Sequence, residues 1–88
     1  MSLNTSGETL PATPLWTLER GASARILGYG EQLDPAYRTR LAEMGFHPGE
    51  LVSCVLCPAL GAPRMYRVSN TVFSLDRELA ERILVTSA

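Results

Sequence analysis

The chain has no lysine and a single histidine, His47. All eight cations are arginines, set against nine carboxylates for a formal net charge of −1. That balance supplies no clustered basic face of the kind phosphate binding requires, which argues against nucleic acid as a partner. Long apolar runs are missing too. None approaches the roughly 20 residues of a membrane-spanning helix, and the amino terminus lacks a basic stretch followed by an apolar core. The expectation is a cytoplasmic protein with no direct membrane insertion. The nucleophile inventory is equally thin: no serine, cysteine or lysine sits beside a recognisable base, so the chain is not expected to be an enzyme or to require a cofactor. With 88 residues there is room for one domain and a thin core. A chain of that size buries only roughly 60% of its unfolded surface, so a partner, or weak self-association, would add to its stability.

Only two cysteines occur, Cys54 and Cys57, spaced as C-x-x-C. The spacing invites a redox or zinc reading. However, Leu51 to Cys57 is rich in apolar and β-branched residues and reads as a strand, on which residues three apart face opposite sides. The pair is therefore expected to split, one thiol in the core and one outside. On that placement they neither chelate one ion nor close an unstrained disulfide, and no second C-x-x-C completes a structural zinc site.

Met1 to Pro14 is rich in Ser, Thr, Gly and Pro and is predicted to lack structure, leaving an ordered domain from Leu15 to Ala88. Leu15, Trp16 and Leu18 supply the first apolar anchors. Ala22 to Tyr29 alternates as a strand with Ala24 and Ile26 inward. Asp34 as cap, Pro35 at the first helical position and Gly45 at the end mark a helix, with Tyr37, Leu41 and Met44 forming its apolar stripe. Pro48-Gly49 has type II turn chemistry and leads into the cysteine strand. A loop with proline near both ends follows, Pro58 to Pro63. Met65 to Val68 and Thr71 to Leu75 form a hairpin about Ser69-Asn70. Asp76 to Arg82 makes a helical turn or two with i, i+4 ion pairs, before Ile83 to Val85 returns as the last strand. Five short strands with tight turns point to a mainly β fold: a small closed or nearly closed barrel with a helix inserted after the first strand and a short helix before the last.

The inserted helix carries the residues of a resemblance. Arg40-Leu41-Ala42-Glu43-Met44-Gly45-Phe46-His47-Pro48-Gly49 resembles the R-L-x-x-x-G-x-x-P-G signature of the ferrous iron transport protein A (FeoA) family. Leu15-x-x-Leu18-x-x-Gly21 is similar to that family's opening, and Leu60-Gly61-x-Pro63 and Ser74-Leu75-x-Arg77-x-x-Ala80 are similar to its later landmarks. One departure stands out: where many members read P-L-G-D-P, this chain reads Ala59-Leu60-Gly61-Ala62-Pro63, without the aspartate. The resemblance implies an SH3-like barrel in the cytoplasm that assists the membrane iron transporter FeoB by binding its cytosolic part. An alternative is a stand-alone equivalent of the SH3-like domain of iron-dependent repressors, acting as a metal-responsive module. A repressor would need a DNA-reading helix-turn-helix and a dimerisation domain, for which no room is expected before Leu15.

The expected partner surface combines the exposed side of the helix, with Arg38 and Arg40, and the stiff loop of Pro58, Leu60, Gly61 and Pro63. Phe46, Leu60 and Met65 are each open to a core or a partner-facing role. A transition metal, if any, would sit at His47 with Glu43 and Glu50. One imidazole and carboxylates make a poor site, and a solvated loop histidine is the plainer reading.

Overall fold

The computed structural model describes residues 12–86. Its strands are β1 (Ala12–Pro14), β2 (Ser23–Tyr29), β3 (Leu51–Leu56), β4 (Arg64–Val68), β5 (Thr71–Leu75) and β6 (Ile83–Thr86). Two helices interrupt them, α1 (Pro35–Met44) and α2 (Arg77–Ala80), and a single 3-10 turn covers Leu15–Thr17. All six strands join one antiparallel sheet in the order β1-β6-β2-β3-β4-β5. Among the described residues β1 and β5 remain as edges, so the sheet curls towards a barrel without closing.

β1 corrects the reading of the amino-terminal segment. Ala12, Thr13 and Pro14 pair with Thr86, Val85 and Leu84. Proline is tolerated there because β1 is an edge strand, where a missing N–H need not break an interior ladder. The remainder of the segment expected to lack structure, residues 1–11, lies outside the described residues.

The turns follow local chemistry closely. The Asp34 carboxylate accepts from the Ala36 N–H, Pro35 opens α1, and Gly45 closes it at φ 115°. The Gly45 N–H donates to Ala42 O and the Phe46 N–H reaches back to Leu41 O, the paired bonds of a Schellman ending. At Pro48-Gly49 the Glu50 N–H closes the turn onto His47 O, with Gly49 at φ 91°. Ser69 and Asn70, at φ 52° and 64°, form the two-residue hairpin with both central residues left-handed. Asp76 caps α2, and the Arg77–Glu81 and Arg82–Glu78 pairs form at 2.8 and 3.8 Å on its exposed side.

The core draws one or two side chains from nearly every element: Leu15, Ala24 and Ile26, Leu41, Val52 and Cys54, Tyr66 and Val68, Leu75, Ala80, and Ile83 with Val85. Phe46 is fully buried and tilts against Phe73, ring centroids 5.7 Å apart, which settles its role as core. The α1 stripe is narrower than expected. Only Leu41 is buried, Met44 packs partly, and Tyr37 stays 50% exposed. Leu33, just before the helix, takes the remaining place in the core. Buried Leu33 anchors the entry to α1, so the helix needs only one turn's worth of apolar contact to stay docked.

Candidate docking loop and the thiol pair at its base

β3 ends in an irregularity. Its pairing with β4 runs Val52↔Val68, Ser53↔Arg67 and Cys54↔Tyr66, then skips to Leu56↔Met65. The extra residue of this β-bulge turns the following side chains off the alternating pattern. Leu56 therefore faces out, and Cys57, one residue past the strand, swings back beside Cys54. The two Sγ atoms lie 2.8 Å apart. The expectation that the thiols face opposite sides is overturned, because it assumed an unbroken period of two.

Cys54 is buried, and its thiol is pushed up to about 12, first by burial and then by its neighbour Cys57, with the Arg64 guanidinium opposing. Cys57 is half-buried at the side of an open cleft that also takes in Trp16, Leu18 and Arg64. Arg64 stacks on the Trp16 ring at 4.1 Å to its centroid and donates from Nη1 to the Trp16 carbonyl. Its Nε and the hydroxyl of fully buried Tyr66 find no hydrogen-bond partner among the described residues. Burial pushes the Tyr66 hydroxyl up to about 12, with the Cys54 thiol adding to the shift and Arg64 again opposing.

Pro58 follows Cys57 directly and opens the loop. Leu60 stands at its tip at φ 65°, wholly exposed at 103% of its reference surface, followed by Gly61 at φ 75°. A left-handed leucine with nothing to pack on is costly on two counts, backbone and hydration. Met65, beyond the loop, is half-buried. Val55 and Leu56, on the strand leading into the loop, are also exposed, at 38% and 44%.

α1 sits elsewhere. Its end packs on the β4–β5 turn, where a Cβ at Gly45 would come 2.8 Å from Ser69 Oγ. That is the opposite end of β3 from the loop, a separation of about 17 Å along a six-residue strand. The carboxyl end of α1 thus stands at the other end of β3 from the loop with which the helix was expected to combine. Arg38 is engaged as a brace, its Nε donating to Leu33 O at 3.1 Å and Nη2 reaching Gly30 O at 3.4 Å. Arg40 is exposed on α1.

His47 is exposed, its Nε2 3.5 Å from Glu50 Oε1 and its Nδ1 3.2 Å from Pro48 O. Among the described residues no group of three or more His, Cys, Asp or Glu comes together to hold a metal ion, and Glu43 does not join His47 and Glu50. Nor is any helix among them long and apolar enough to cross a membrane.

The family model described as the FeoA domain matches residues 13–87. The chain belongs to the FeoA family. A crystal structure of Stenotrophomonas maltophilia FeoA complexed with zinc, described as a prokaryotic SH3 domain protein, is 31% identical, covers 85% of this chain and 91% of that one, and superposes with a TM-score of 0.75. FeoA from Chlorobium tepidum is 25% identical over 86% of this chain and 71% of that one, TM-score 0.75. A manganese-dependent transcriptional repressor shares the fold at TM-score 0.79 and 19% identity, this chain covering 44% of that one. No curated protein sequence matches. The mainly β, SH3-like architecture read from the sequence therefore holds for this FeoA domain, as an open six-stranded sheet instead of five strands. The Stenotrophomonas protein is complexed with zinc, whereas among the described residues of this chain His47 and Glu50 alone supply too few ligands for a closed site.

Proposed function

We propose that this FeoA-family protein is an accessory of ferrous iron uptake that works by docking, through the Pro58–Pro63 loop, on the cytosolic part of a FeoB-type membrane transporter in the cytoplasm. Family membership supports the iron-transport setting. The observation that carries the docking site is Leu60, a wholly exposed leucine held in left-handed backbone at the tip of a short loop with proline near both ends. Such a loop loses little conformational entropy on binding, and an unburied leucine supplies the apolar anchor that a partner pocket desolvates. Leu56 and Val55 extend the apolar surface along the strand below it. Arg38 is occupied and Arg40 lies on α1, whose carboxyl end packs at the other end of β3, so the proposed anchor is the loop with Pro58, Leu60, Gly61 and Pro63. The likeness to the manganese-dependent repressor is one of fold alone and supports no DNA-linked reading.

Leu60→Asp is expected to abolish binding to the purified FeoB cytosolic domain by calorimetry, while leaving the circular dichroism spectrum and melting temperature unchanged, since Leu60 touches no core. A variant that binds like the parent, or that unfolds, removes the loop as the docking site.

A further inference from the structure

The docking reading leaves the thiol pair unused, and the pair is more than two buried hydrophobes. The bulge brings Cys54 and Cys57 onto one side of β3, with Sγ atoms 2.8 Å apart. Two thiolates sharing a tetrahedral zinc, at about 2.3 Å from the metal, would stand about 3.8 Å from each other, and among the described residues no third ligand joins them. The spacing is tighter than that yet longer than the about 2.05 Å of a formed bond, so the two reduced sulfurs stand in contact and need only a short approach to join. The two thiols are also unequal. Cys57 is half-exposed at an open cleft, whereas Cys54 is 1% exposed behind it. Beside them the Arg64 guanidinium faces the buried Tyr66 hydroxyl, with the Arg64 Nε and that hydroxyl outside hydrogen-bonding geometry among the described residues.

We propose that Cys54 and Cys57 form a thiol–disulfide exchange site that reacts with small-molecule disulfides of the glutathione type, Cys57 attacking and Cys54 resolving. In the first step the Cys57 thiol gives its proton to water and the thiolate attacks one sulfur of the incoming disulfide. That S–S bond breaks, one small thiolate leaves and takes up a proton, and Cys57 holds a mixed disulfide. Cys54 then loses its proton, attacks Cys57 Sγ and displaces the second small thiolate, which is protonated in turn. The two protein thiols are oxidised to one disulfide and the incoming disulfide is reduced to two thiols. Burial of Cys54 works against loss of its proton in this second step, while the share of the opposition that comes from the Cys57 thiol is gone once Cys57 is in the mixed disulfide. The Arg64 guanidinium, whose field favours the thiolate at Cys54, offsets part of that penalty. Closure would tie the bulge shut at the residue immediately before Pro58, so the bond would form at the root of the loop that carries Leu60. The exchange chemistry itself stands whether or not that loop docks.

The test treats the folded, reduced full-length protein with glutathione disulfide, blocks remaining thiols with iodoacetamide and maps the modified residues by mass spectrometry. The wild-type protein is expected to lose both alkylation sites and carry an internal Cys54–Cys57 bond. Cys54→Ser is expected to stall with glutathione on Cys57, and Cys57→Ser to be modified at least about tenfold more slowly than Cys54→Ser. The wild-type result needs no variant to fold. The proposal is overturned if both wild-type cysteines stay fully alkylatable, if wild type accumulates a stable glutathione adduct as Cys54→Ser does, or if the thiols are blocked beforehand by a soft metal that a chelator removes.

Discussion

The two ends of β3 obey different rules. At its start, where α1 hands over to the Pro48-Gly49 turn, each residue does what its local chemistry favours: aspartate caps, proline opens, glycine closes, and the buried side chains meet without an orphaned polar atom. At its finish the pattern breaks. A bulge, a left-handed leucine, two touching thiols and both unpaired buried polar atoms among the described residues gather around one loop. Consistency across levels is what specifies a fold, and departures from it concentrate where a protein does something besides fold. On this contrast the α1 end holds the molecule together and the loop end does its work.

Substitutions can break or sharpen the contrast. The largest effect is expected from Leu41→Ala, which empties the one fully docked position of α1 and should destabilise the fold by about 2–5 kcal/mol in chemical denaturation. An unchanged midpoint would mean that α1 contributes little and the contrast fails. Gly45→Ala comes next, at about 1–3 kcal/mol, because it places a side chain at φ 115° and 2.8 Å from Ser69 Oγ. Adding Ser69→Gly should recover the steric part of that loss and none of the backbone part.

Alkaline pH probes the loop end. Cys54 and Tyr66 are raised from ordinary values of 9.0 and 10.0 to about 12, chiefly by burial, so the folded state prefers both groups protonated. Their contribution is fully present below about pH 9 and is lost as pH rises towards 12. A pH series of denaturation midpoints should fall through that window, and Cys54→Ala should remove its lower part. The smallest effect is expected from Tyr66→Phe, within about 1 kcal/mol of the parent and tending to stabilise, since the hydroxyl it deletes is buried without a partner. A loss well beyond that would show that the hydroxyl has found a bond and that the loop end is less frustrated than it looks.

The same contrast explains what could be read from the sequence. Asp34, Pro35, Gly45, Gly49 and Asn70 act through their own backbone or the next turn, so the helix, the hairpin and the strand starts were legible before any coordinates. The FeoA signature lies on this end as well. What escaped depends on residues far apart in the chain. β1 exists because β6 offers it an edge, which the proline-rich sequence around Pro14 does not announce. The thiols meet because β4 pairs with β3 out of step, a property of two strands together. Arg64 and Trp16 are stacked by the tertiary fold across most of the domain. Tyr37 satisfied the helical period and yet faces water, since Leu33 reaches the core first.

The position of β6 bears on how the molecule is made. This strand, which follows the other five in the chain, is inserted between β1 and β2, the two that precede the rest. While the chain is still emerging from the ribosome, β1 has no neighbour, and the places of Ile83 and Val85 in the core stand empty. The β2-to-β5 meander can assemble as it appears, but it cannot be sealed until Ile83 to Thr86 have followed. Truncation a few residues before Ile83 would thus leave a nascent sheet with its interior seam open, a natural target for chaperones and proteases.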